Sequence, residues 1–352
     1  LKPAHTRPGD ILEIVHELHY ISLHEEKSGK LPRMYFIKNN EDNQPVLADL
    51  NKELLVSVKA NDSKVSLAYF IEDDGDILIE PTKDDEVEIV YSKSYTLENY
   101  TIESIANKLI EIECEDISKV SIRPKSHKDK QVNLVRVLDF STYYRSKNYC
   151  LFKGKWAIFN KSYIEFIKRE ILKVNEVAIY NEEYHLNNLV LEEGRKIQAS
   201  DKDAYDQVTY AEYPFNIFLH NKFNYFLLDR KKGQQYYKSV EFADLFEEEE
   251  KMLIHVKIGD TADLRYCIQQ SIHSAEIFNT QSDALEVHGI DKVRIISMLF
   301  VLSSPSVICE DGSINFLNNK SIYFQIEIIE WLIKVRTLGY IPQIITAKDL
   351  RT

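Results

Sequence analysis

The sequence predicts an α/β protein in two parts: a β-rich α+β domain over residues 1–147, and a second domain over 148–352 in which helices flank a mixed sheet. Three observations carry this. Between residues 33 and 91, short runs rich in Val, Ile, Tyr and Phe are separated by Asn, Asp and Gly turns, the texture of an antiparallel sheet. In the second half, KFNYFLLDR, SVEFADLF and KMLIHVK read as three successive strands, followed by a helix-spaced segment at 261–278. Beyond it VRIISMLFVL is too apolar for an exposed edge and reads as a buried strand. At 352 residues and 44% hydrophobic content, the chain has material for two cores.

In order, residues 10–22 have helical spacing with Asp10 as the N-cap. RMYFIK, KELLVSVKA, KVSLAYFIE, DILIEP and VEIVYS read as strands, and residues 101–112 return to helical spacing with Thr101 at their start. KVSIRPKS and VNLVRVLDF are strand-like, and the polar residues 145–148 place the domain boundary near 147. CLFKGKWAIF reads as a hairpin turning at Lys153 and Gly154, with the helix SYIEFIKREILKVNEV after it. A polar stretch leads to residues 201–219, a helix interrupted by Pro214. The chain closes with the helix SIYFQIEIIEWLIKVRT, stopped by Gly339, and the strand YIPQIIT.

The formal net charge of −12 argues against a surface coated in positive charge. Local basic clusters remain at Arg123, Lys125, Lys128 and Lys130, and at Arg230, Lys231 and Lys232; the second is the candidate nucleic-acid contact. Cys114, Cys150, Cys267 and Cys309 lie far apart and form no C-x-x-C pair, so neither a zinc knuckle nor a disulfide framework is indicated, and a reducing cytoplasm suits them. No apolar run reaches the roughly 18 residues of a membrane helix, so no membrane partner is expected. The His16 and His19 pair is three residues apart, not the spacing of a zinc helix, and no phosphate-binding glycine loop occurs.

The polar residues worth singling out lie between 240 and 257. Side chains alternate along a strand, so Leu253, His255 and Lys257 share one face of KMLIHVK while Ile254 and Val256 point the other way. SVEFADLF brings Asp244 to the neighbouring position, and the acidic turn 247–250 is expected to be solvated. Asp244, His255 and Lys257 therefore converge as a candidate cation and phosphate site.

The order helix, three-strand meander, crossover helix and parallel strand, with Asp244 followed by His255-Val256-Lys257, resembles restriction-endonuclease-like nucleases of the PD-(D/E)xK type. LIHVK, QQSIHSAEIF, FLLDRK, GKWAIF and NNKSIYFQIEIIEWLIKVRTLGY also resemble a sporadically distributed bacterial family of unknown function that recurs among phage-defence genes, over residues 150–345. The resemblance implies a metal-dependent nuclease in antiphage defence, with a divalent metal (Mg or Mn) and nucleic acid as partner, DNA favoured over RNA. A homo-oligomer or a defence-complex partner is a further expectation.

By the same resemblance Asp244 is a metal-binding carboxylate, the Val256 carbonyl a second oxygen ligand, Lys257 the group that orients water or neutralises the phosphoryl oxygens, and Glu212 the helix-borne acid. His255 departs from the pattern by standing where an acid belongs, as a metal ligand or a general base. Asp229, Gln269 and Gln270 are secondary candidates. The same departure supports an alternative: a catalytically silent nuclease-fold subunit that binds nucleic acid or acts as a scaffold.

Overall fold

A computed structural model describes residues 34–229 except 63, 68–69, 72–76, 80–85, 126–130, 201–207 and 209, residues 242–351 except 281, and scattered helical positions between 12 and 23. Lys128, Lys130, Arg230, Lys231 and Lys232 lie outside the described residues. The chain divides into two compact units, Leu1–Ile167 and Lys168–Thr352. The boundary expected near residue 147 instead falls in a hairpin. The strands on either side of it pair as Lys147↔Tyr144 through Leu151↔Phe140, so Arg145 and Ser146 form a tight turn while Lys147 and Asn148 already belong to the next strand.

The first unit contains β1 (Met34–Phe36), α1 (Gln44–Lys59), β2 (Val65–Leu67), β3 (Phe70–Ile71), β4 (Ile77–Ile79), β5 (Val87–Val90), β6 (Ser94–Thr96), α2 (Ile102–Glu111), β7 (Ser121–Pro124), β8 (Val132–Asn133), β9 (Leu138–Tyr144), β10 (Lys147–Phe152) and β11 (Lys155–Phe159). A five-stranded antiparallel sheet runs β1-β11-β10-β9-β2, a four-stranded one runs β6-β5-β7-β8, and β3 pairs with β4. The β10–β11 hairpin turns at Lys153 and Gly154, both with positive φ, the turn geometry that matches strand twist.

KELLVSVKA, expected as a strand, belongs to helix α1. Leu50, Leu54, Leu55 and Val58 recur at helical spacing and are buried, and Pro45 opens the helix where its missing N–H is no loss. They join Ile105 and Leu109 of α2, and Phe140 and Leu151 of the sheet, in one core.

α3 (Lys161–Asn175) leads into the second unit, which holds β12 (Ala178–Tyr180), α4 (Asn188–Ser200), α5 (Glu212–Phe223), β13 (Phe226–Leu227), β14 (Leu245–Glu247), β15 (Met252–Gly259), α6 (Thr261–Thr280), β16 (Ile295–Leu302), α7 (Ile322–Thr337) and β17 (Ile341–Lys348). Its six-stranded mixed sheet runs β12-β17-β16-β15-β14-β13. β13, β14 and β15 form an antiparallel meander, whereas β15, β16, β17 and β12 are parallel.

Every residue of β16 is buried, because helices cover both faces of the sheet. On one face Ile254, Val256, Leu299 and Val301 pack with Phe215 and Leu219 of α5. On the other, Phe300 packs at ring-centroid distances of 6.5 and 6.4 Å from Phe316 and Phe324.

Pro214 does not interrupt a helix. It stands in the first turn of α5, which begins only at Glu212. Helix α4 was not anticipated, because its buried stripe is thin: Leu191, Gly194 and Gln198. Gly194 lets α4 touch α5 closely, since a β-carbon there would lie 2.1 Å from the Pro214 carbonyl oxygen.

Candidate functional site

The site is built on one edge of β15. β14 is short and pairs with β15 only through Ile254, so among the described residues the ladder stops there and no strand lies against the β15 edge beyond it. Along a strand, alternate residues direct both N–H and C=O to the same edge. Ile254 does so toward β14, its carbonyl accepting from the Asp244 N–H at 3.0 Å, and Val256 and Ile258 follow it.

Side chains take over where the ladder ends. The Asp244 carboxylate accepts from Val256 N–H at 2.6 Å, and the Glu212 carboxylate accepts from Ile258 N–H at 3.2 Å. The two N–H groups that these carboxylates cap are about 7 Å apart along the strand, two residues of β rise, with the Val256 carbonyl directed to the same edge between them.

Each group is held from behind. Glu212 is the first residue of α5, and its other oxygen accepts from Lys257 Nζ at 3.1 Å. One helical turn on, fully buried Asn216 donates through Nδ2 to Asp229 at 2.7 Å and to Asp244 at 3.4 Å. The Asp244 carbonyl accepts from the N–H groups of Leu228 and Asp229, both at 2.8 Å, tying the end of β13 to the start of β14. A single amide thus spans two neighbouring acids, while its own Oδ1 is buried with no partner among the described residues.

Lys257 is flanked on its other side by α6. Its ammonium lies 4.9 Å from the centre of the Tyr266 ring, whose hydroxyl accepts from Gln270 at 3.0 Å. Gln269 is half-buried. Asp263 also faces this group: burial pushes its carboxyl up, with the charges of Lys257 and Glu212 as smaller and opposed influences. Gly259 is required here, because a β-carbon would lie 2.1 Å from Asp263 Oδ2 and its φ is +150°.

His255 is a correction. It shares a face with Lys257, as strand alternation demands, yet it is only 2% exposed and does not join the carboxylates. The reason is position along the strand. β15 pairs with β16 along its whole length, but at His255 the strand is covered by α6, Cys267 Sγ approaching the His255 carbonyl at 3.7 Å, whereas Lys257 lies nearer the strand's end. Burial lowers its pKa to about 3, so the imidazole is neutral, and Nε2 has no partner among the described residues.

The acidic turn is corrected in part, for Glu247 belongs to β14, is half-buried, and has its carboxyl pushed up by burial. Of the first basic cluster, Arg123 pairs with Glu88 at 2.9 Å and Lys125 with Glu86, so cross-strand acids already neutralise both.

Asn216, Asp263 and Tyr266 also stand beside these groups, unmarked by any motif in the sequence. Asn216 was findable as the residue four beyond Glu212 on one helix, but nothing in sequence brings Asp263 or Tyr266 to Lys257 without the turn at Gly259.

A family model described as a family of unknown function, DUF6119, matches residues 3–288, and the chain belongs to that family. The match covers most of both units and stops short of β16, whereas the resemblance read from motifs spanned residues 150–345. No curated protein and no solved structure matches the chain.

Proposed function

We propose that the chain is a metal-dependent nuclease of restriction-endonuclease-like class, hydrolysing phosphodiester bonds in antiphage defence with DNA favoured over RNA. The observation that carries this reading is the edge of β15, where the Asp244 and Glu212 carboxylates accept from the N–H groups of Val256 and Ile258 in place of a strand among the described residues, beside the Lys257 ammonium. The order α5, β13, β14, β15, α6, β16 supports the class.

The donor set suits Mg²⁺ or Mn²⁺. Among the described residues no group of three or more His, Cys, Asp or Glu side chains gathers, so a dedicated all-protein cage is not the model to test. Mg²⁺ is commonly held by one or two carboxylates and keeps its remaining positions for water and phosphate. When bound, the cation supplies Lewis-acid polarisation of the phosphate and a more acidic water.

The chain's own residues divide the remaining work. Asp244 and the Val256 carbonyl would hold the cation directly, and Glu212, two residues further along the strand with both oxygens already hydrogen-bonded, would reach it through a bound water. Lys257 offers positive charge to the phosphoryl oxygens, where charge grows in the transition state. Asn216 holds Asp229 and Asp244 side by side by donating to both, and Tyr266 with Gln270 confines Lys257 from the α6 side. His255 takes no part, so the acid missing at that position is replaced by Glu212 from α5.

Supercoiled plasmid incubated with the purified chain and Mg²⁺ or Mn²⁺ is expected to be nicked, with the activity removed by a chelator and by Asp244→Ala. The buried His255 favours one second reading, a silent subunit that binds nucleic acid without cutting it. That reading replaces the first if no metal gives turnover while the parent and Asp244→Ala retard DNA equally.

A further inference from the structure

At the carboxyl ends of β15 and β16 lies a cavity of about 220 Å³ that the β15 edge does not use. Leu264, Leu302, Phe316 and Phe324, all buried, give it apolar walls. Ser304, Ser306, Asn318 and Lys320 give it an exposed polar rim. The strand-to-helix turn Gly259, Asp260 and Thr261 forms one side, beginning two residues after Lys257. Asp263 sits against Gly259 and feels the charges of Lys257 and Glu212, so the cavity and the carboxylate edge adjoin.

Three features define the occupant. The first is size: at about 220 Å³ the cavity falls below the roughly 300–1,000 Å³ of pockets that enclose drug-sized ligands, which suits a single heterocycle.

The second is that the start of α6 is poorly furnished for phosphate. Asp263 already accepts from Asp260 N–H at 3.0 Å and Asp260 from Ala262 N–H at 2.8 Å, so carboxylates occupy the donors an anion would need. A neutral ring meets no such conflict.

The third is a preformed rim. Asn319 donates to the Thr261 hydroxyl at 3.0 Å, accepts from Ser321 N–H at 3.0 Å, and through its carbonyl accepts from Gln325 at 2.7 Å. The side chains of Ser304, Ser306 and Lys320 make no hydrogen bond to the described residues and remain available to a ligand.

We propose that this cavity receives one nucleobase, swung out of the nucleic-acid strand that lies along the β15 edge. The inference rests on the nuclease reading for the source of the base. Apolar faces for the ring and a mixed donor and acceptor rim for its polar edge are what an extruded base requires, and unpaired or damaged bases cost least to extrude.

The test uses the full chain carrying Lys257→Ala, to leave the strand uncut, and duplexes with 2-aminopurine at successive positions. A several-fold rise in fluorescence is expected at one position. It is lost when Ser306→Trp fills the cavity from its exposed rim with the melting temperature unchanged, and Ser304→Trp serves if Ser306→Trp does not fold. Calorimetry with free adenosine monophosphate separates the sources: heat that Ser306→Trp removes, with no rise on any duplex, overturns the swung-out base in favour of a free nucleotide.

Plasmid cleavage by the parent with neither a rise nor that heat overturns the pocket and leaves the nuclease reading standing. A rise that Ser306→Trp removes, with no cleavage in any metal, keeps the pocket and sinks the nuclease reading.

Discussion

The middle of β15 and its carboxyl end treat the same kind of residue in opposite ways. His255 and Lys257 stand two apart on one face of one strand; the imidazole is sealed under α6 while the ammonium reaches Glu212 at 3.1 Å. Up to Ile254 the strand has a neighbour on each side, but from Val256 onward the β14 side carries no strand among the described residues and carboxylates take the ladder's place. A polar side chain in a strand covered on both faces therefore finds polar partners where the ladder to β14 ends, and not where alternation alone would place it.

The largest expected effect tests the end of the strand. Lys257→Ala should lower nicking activity about 10²–10³-fold, the range found for removing one preorganised donor from a transition state. Its melting temperature should stay close to that of the parent, because Glu212 keeps its bond to Ile258 N–H. Equal activity in the variant would remove Lys257 from the chemistry.

The middle of the strand is tested by restoring the acid that the nuclease pattern has there. His255→Glu should not raise activity, and should cost about 2–4 kcal/mol of stability, since a carboxyl without a partner would be enclosed beside Met298 and Cys267. Urea unfolding measures this. A variant as stable as the parent and more active would show that position 255 opens onto the carboxylates after all.

The same contrast explains what was legible in the sequence. Strand alternation placed Lys257 and His255 on one face, and the apolar run of β16 announced burial on both faces. Asp244 could be named from its place beside the alternating KMLIHVK, whereas Glu212 could be named only through the nuclease resemblance, because α5 is buried nearly all round and has no clear apolar stripe. What could not be read was how far β14 runs before it stops, which decides that Val256 and Ile258 are capped by side chains.

Two other misreadings have local causes. VSVK at the end of α1 alternates like a strand for four residues, but the longer period of Leu50, Leu54 and Val58 wins once a core is present. The polar residues 145–148 look like a linker because a two-residue turn at Arg145 and Ser146, both with positive φ, uses the same residue types.

The smallest effect concerns proton uptake at His255. Its pKa is lowered from the ordinary 6.5 to about 3 by burial alone, so the unfolded chain takes up a proton at a pH where the folded one does not. The sign follows: whatever stability the neutral imidazole secures is complete above pH 6.5 and is lost as the pH falls from there toward 3, at up to about 1.4 kcal/mol per pH unit.

His255→Leu removes that proton and also the partnerless Nε2, so at pH 7 the variant should be as stable as the parent or slightly more so. Between pH 6.5 and 5 its urea midpoint should fall less than the parent's, other titrating groups being common to both. Parallel curves would mean that His255 is protonated in the folded chain, and an ionised imidazole there requires a path to water and restores position 255 to the reach of Asp244.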